Sequence, residues 1–173
     1  MKNIILIGMP GAGKNTAGVI LAKTLGMKFI DTDLAIQERT GRLLQETIDT
    51  EGPDNFLKIE ENAILALTCH HTVIATGGSV VFSERAMEYL KSGGVVVYLK
   101  ISFEEMELRL RNITTRGIVL VAGKSLREMY DERIPLYEKY ATITIDSSDT
   151  DYETVVGDII NNLKTCQDGS AFP

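Results

Sequence analysis

An α/β fold, a parallel sheet covered by helices, is the class this sequence predicts, and three observations predict it. Short β-rich apolar runs alternate with longer runs whose apolar residues recur at helical spacing. The first strand-to-helix junction carries Gly8-Met9-Pro10-Gly11-Ala12-Gly13-Lys14-Asn15-Thr16, a glycine-rich phosphate-binding loop in its proper setting. The composition, 44% hydrophobic and 24% charged over 173 residues, suits one globular domain whose core needs neither disulfide nor structural metal.

In chain order, strands are expected at 3–7, 28–31, 72–75, 95–101 and 142–146. Helices are expected at 14–25, 34–39, 43–49, 53–67, 83–91, 103–111, 126–140 and 152–165. Ser83 and Ser125 read as N-caps, and only Ser125, with Glu128 three residues on, completes a capping box. Residues 1–166 form a single domain in this reading, and 167–173 a loose tail.

The loop states its chemistry directly. Its glycines let consecutive amides curl inward, the helix start adds unpaired N–H groups, and Lys14 supplies a full charge for β- and γ-phosphates. Asn15 stands where the pattern places a hydroxyl for Mg²⁺, so the metal site is the one position at which the motif is imperfect.

Ligands of open α/β sheets sit beyond the carboxyl ends of the strands. Asp31-Thr32-Asp33 follows the second strand and Thr76-Gly77-Gly78-Ser79 the third, so both are expected near the loop. Two carboxylates one residue apart suit divided labour, one toward Mg²⁺, often through water, and one toward a substrate hydroxyl. The plainer alternatives are that Asp33 caps the next helix and that Gly77-Gly78 is an ordinary turn. Residues 112–124, with two glycines, two threonines and Arg116, read as a lid whose arginine neutralises charge on a transferring phosphoryl group; a surface loop is the alternative. Arg133 by pattern is either a salt-bridged helix residue or an anion clamp.

A net charge of -6 argues against a nucleic-acid partner, though not against a small anion in a basic pocket. Cys69 and Cys166 read as reduced thiols, neither forming a metal cluster with His70 and His71. The chain runs into a strand from Met1-Lys2-Asn3 and has no apolar run of membrane-spanning length, so no membrane partner and a cytoplasmic location are expected. A monomer is expected, because the chain needs no partner for its core.

Taken together, residues 8–16, Phe29-Ile30-Asp31-Thr32-Asp33, Thr40-Gly41-Arg42, Phe56 with Glu60, Gly77-Gly78, Thr115-Arg116 and Arg133-Ile134-Pro135-Leu136-Tyr137 resemble the shikimate kinase family. This is a branch of the nucleoside-monophosphate-kinase-like phosphate-loop proteins, and the resemblance runs from Ile4 to about Leu163. It implies a three-layer α/β/α domain with a five-stranded parallel sheet of order 2-3-1-4-5, ATP over the loop, Mg²⁺ near Asp31 and substrate hydroxyls at Asp33. It further implies Arg116 as the lid arginine, Arg133 as the substrate-carboxylate clamp, Arg109 against adenine and Tyr152 near the adenine edge.

Three departures bear on the substrate. The family's Phe-Arg-x-x-Glu element is Phe56-Leu57-Lys58-Ile59-Glu60 here, with leucine in place of an arginine that would help hold shikimate. Lys58 is one residue off and points about 100° away on a helix. The third glycine of the family's triplet is Ser79, and Arg116 is followed by Gly117-Ile118-Val119 rather than proline and leucine. The function expected is ATP- and Mg²⁺-dependent phosphorylation of a hydroxyl on a small acid, shikimate first. The alternatives are a kinase of another hydroxy acid or of a hydroxy-amino acid such as homoserine, and a nucleotide-binding sensor without turnover.

Overall fold

The computed structural model describes residues 2–111 and 124–168, with side chains to residue 165. The expected lid with Arg116, the thiol at Cys166 and the end of the expected tail lie outside the described residues. The five strands are β1 (Asn3–Ile7), β2 (Lys28–Asp31), β3 (Thr72–Ala75), β4 (Gly94–Lys100) and β5 (Ile143–Asp146). All described pairings are parallel and the order is β2-β3-β1-β4-β5. The helices are α1 (Lys14–Leu25), α2 (Thr32–Thr40), α3 (Leu44–Glu51), α4 (Pro53–Leu65), α5 (Glu84–Gly93), α6 (Phe103–Arg111), α7 (Leu126–Tyr140) and α8 (Tyr152–Asp168).

Burial follows strand position. Every residue of β1 and β3 is buried, as is the interior of β4, which is why these strands read as continuous apolar runs. At the edge, β5 alternates buried and exposed residues. The main core joins these strands to α1, α5, α7 and α8. A second, smaller core of Ile36, Leu44, Ile48, Phe56 and Ala63 holds α2, α3 and α4 together. Among the described residues no helix is long and apolar enough to cross a membrane.

Boundaries move where tertiary bonds decide them. Strand β4 begins at Gly94 because Asn3 pairs with it across β1, and it stops at Lys100, one residue before the expected end. Helix α2 begins at Thr32 rather than 34, since the side chain of Asp31 accepts from the amides of Asp33 and Leu34. Helix α8 runs to Asp168, into the segment expected as tail. The two serine caps stand as expected: Ser83 Oγ accepts from Ala86 N at 3.0 Å, and Ser125 and Glu128 close a reciprocal box.

Candidate active site

The loop between β1 and α1 is shaped by left-handed backbone at Gly11 (φ 83°) and Gly13 (φ 84°), a region that side chains rarely enter. Within it Ala12 N donates to Met9 O at 3.1 Å, turning the chain tightly over the helix start. Lys14 is buried, and its Nζ donates to the carbonyls of Gly8 at 2.8 Å and Met9 at 2.9 Å, so the ammonium is folded over the loop that curls around it. Two elements from far along the chain close on this loop. Arg109 of α6 donates to Gly11 O at 2.8 Å and pairs with Glu105. The ring of Tyr152 at the start of α8 leaves no room for a side chain at Gly13: a Cβ there would sit 2.5 Å from the ring.

A cleft opens beside the loop, lined by Pro10, Lys14, Asn15, Asp31, Asp33 and the segment 76–78. It lies at the carboxyl ends of β1, β2 and β3, where the sheet topology places ligands. Thr32 Oγ1 accepts from Gly77 N at 3.2 Å and Thr76 Oγ1 donates to Leu6 O at 3.0 Å, tying the three strand ends together. Asp33 points into this junction from the first turn of α2; the cap of that helix is Asp31, not Asp33.

Asn15 and Asp31 are in direct contact: Asn15 Nδ2 donates to Asp31 Oδ2 at 2.5 Å, while Oδ1 accepts from Asp33 N at 2.9 Å. Asp31 Oδ1 also accepts from Leu34 N at 3.4 Å, so it is filled by the two amides of the helix start, and Oδ2 is the oxygen with a lone-pair site remaining. Among the described residues no cluster of three or more acidic, histidine or cysteine side chains could hold a metal. This donor set fits Mg²⁺, which keeps several waters and completes its shell with substrate phosphates rather than a protein cage. Asp31 fits the ion through water, and Asn15 Oδ1 is the amide atom that the bond to Asp31 does not use.

Arg133 is 2% exposed, the largest fully buried side chain among the described residues. It reaches the cleft wall at Gly78, where a Cβ would lie 3.1 Å from Nη1, and its guanidinium sits 5.3 Å from the Phe82 ring centre. One turn later on α7, Tyr137 donates to Gly78 O at 2.6 Å and stacks on Tyr98. Leu57 is half-buried on α4 and does not line the cleft.

Glu60, to which the sequence pattern assigns no role, is buried behind the cleft wall at Gly77. It is buried beside Phe56, Ala63 and Ile64 on the inward face of α4. Ser79 Oγ donates to Glu60 Oε2 at 2.7 Å, and burial pushes the carboxyl up to about 7, with Asp33 adding to the rise. A signal was present in the pattern: an acid at a core position of an amphipathic helix is costly unless something uses it.

The shikimate kinase family model matches residues 10–164 of this chain. The chain belongs to the shikimate kinase family. A shikimate kinase of Mycobacterium avium is 43% identical over 164 residues, covering 92% of each chain. One from Thermodesulfovibrio yellowstonii is 37% identical, with 98% of this chain and 99% of the relative covered. Among solved structures, the shikimate kinase from Acinetobacter baumannii in complex with shikimate superposes with a TM-score of 0.88 at 32% identity, covering 95% of this chain and 94% of that one. Membership makes the chain a phosphotransferase with an alcohol acceptor, using ATP with Mg²⁺.

Proposed function

We propose that this protein transfers the γ-phosphoryl group of ATP to a hydroxyl of shikimate, acting as a cytoplasmic monomer. The observation that carries the reading is the convergence of Lys14, Asp33, Gly77 and Gly78 on one cleft, with Arg133 behind its wall, in a chain of this family. The amides of the loop from Pro10 to Thr16 and the Lys14 ammonium receive the β- and γ-phosphates. Arg109 and Tyr152, packed over Gly11 and Gly13, take the base of the nucleotide, Arg109 against adenine and Tyr152 near its edge.

Asp33 accepts a hydrogen bond from the reacting hydroxyl and takes its proton as the oxygen bonds to the γ-phosphorus and the bond to the bridging oxygen breaks. When bound, Mg²⁺ neutralises charge on the phosphate oxygens, with Asn15 and Asp31 as its protein partners. Arg133 holds the substrate carboxylate. With Leu57 in place of the family's arginine, that carboxylate leans more heavily on Arg133. Arg116 is assigned the charge-neutralising role of a lid arginine, and lies outside the described residues.

The test is ADP release with shikimate, quinate, homoserine and gluconate as acceptors. Turnover led by shikimate is expected. ATP binding with no turnover on any acid would instead identify a sensor.

A further inference from the structure

Glu60 is a buried acid behind the Gly77 wall of the cleft, and its surroundings say what its charge acts on. Its Oε2 is held by Ser79, while Oε1 is buried with no hydrogen-bond partner among the described residues. That oxygen faces Gly77, where a Cβ would lie 2.5 Å from Glu60 Oε1 and 2.8 Å from Asp33 Oδ1. At the next residue, Gly78, a Cβ would lie 3.1 Å from Arg133 Nη1. The two adjacent glycines are therefore backed by a carboxyl and by a guanidinium.

The charges acting on Glu60 come from several elements. Asp33 of α2 opposes its ionisation, while Arg133 of α7 and Lys14 of α1 favour it; Tyr137 of α7 also faces it. Desolvation is the largest influence and the Ser79 bond, which favours the ionised form, the next, so the carboxyl changes charge at about 7 rather than 4.5.

We infer that Glu60 is a specificity-determining residue that sets how much of the Arg133 charge is offered to an anionic substrate. While Glu60 is neutral, the guanidinium acts on the substrate carboxylate. Once ionised, Glu60 competes for it, and binding the acid must then draw a proton onto Glu60. The inference rests on Arg133 as the carboxylate clamp. It makes the cleft selective for monoanionic acids over neutral polyols, and most selective on the acidic side of neutrality.

The experiment is calorimetric titration of the nucleotide-free protein with shikimate, and in parallel with neutral shikimate carboxamide, in buffers of different ionisation heat. Above about pH 7, shikimate affinity is expected to fall, with a limiting slope of about tenfold per pH unit for one proton. Net proton uptake accompanies binding there, and the carboxamide shows neither effect. Glu60→Gln should abolish slope and uptake together. Ser79→Ala, which removes a bond favouring the ionised form, should move the midpoint to higher pH and carries the test if the glutamine variant does not fold. A slope or uptake that persists in Glu60→Gln, or an unmoved midpoint in Ser79→Ala, overturns the inference while leaving the clamp in place. Equal affinity for acid and carboxamide on the acidic side of the midpoint overturns the clamp, and this inference with it.

Discussion

The two halves of the cleft are built differently. The phosphate side is one continuous stretch, residues 8–16, whose backbone points inward and whose lysine is held by carbonyls five and six residues away. It sits on β1, in the centre of the main core. The substrate side draws on α2, α4, the 76–79 segment and α7, and two of its helices, α2 and α4, rest on the small second core. Backbone donors in a local turn tolerate many neighbouring sequences, whereas side chains meeting across elements must match one another. The departures at Leu57 and Ser79 both fall on the substrate side, and Ser79 is joined there to Glu60.

The largest effect should come from the phosphate side. Lys14→Ala is expected to lower turnover by roughly a hundredfold or more, since removing even one preorganised donor at a developing charge costs about a hundred- to a thousandfold. Steady-state kinetics with circular dichroism checks this, and near-normal turnover in a folded variant would remove Lys14 from the mechanism. Gly77→Ala strikes the substrate side alone, since the new Cβ would collide with Glu60 Oε1 and Asp33 Oδ1. Overpacking of this kind costs about 1 to 3 kcal/mol of folding stability, and displacement of the two carboxyls is expected to lower kcat/KM for shikimate with ATP affinity preserved. If ATP affinity falls equally, the two halves are coupled more tightly than their construction implies.

Glu60→Gln tests the energetics of the second half. A carboxyl raised from 4.5 to about 7 stabilises the folded protein fully below about pH 4.5, and that contribution is lost as pH rises through about 7. The glutamine variant should therefore lack this fall, and near pH 8 should gain about 3 kcal/mol relative to the parent, measured by urea unfolding at several pH values. An unchanged pH profile would show that Glu60 titrates normally. The smallest effect is expected at Asn15→Ser, which exchanges an amide tied to Asp31 for a compact hydroxyl. The Mg²⁺ concentration for half-maximal activity should fall about two- to fivefold, with turnover rising and substrate preference unchanged. A serine form no better than the parent would mean that the amide bond to Asp31 already serves the site well.

Much of this architecture was legible in the chain. The glycine spacing, the lysine and the flanking strand and helix are local features, and the strand order followed from resemblance to a family whose motifs run the length of the sequence. The substrate half was legible only in part. Asp33, Gly77, Gly78 and Arg133 were named by motif, but Asp31 rather than Asp33 caps α2, because the carboxylate that precedes the first turn reaches its free amides. Glu60 matches the family pattern, but nothing in residues 53–65 indicates that Ser79 and Asp33 will close around it.

The sequence by itself determined the fold class, the position of the phosphate loop and the identity of the groups that meet there. Each rests on periodicity, on glycine's backbone freedom or on charge carried within a few residues. Tertiary structure alone decided which of those groups are buried, which oxygens remain available and where a proton resides. Those properties depend on desolvation and on through-space distances between elements far apart in the chain, such as Tyr137 and Gly78, 59 positions apart.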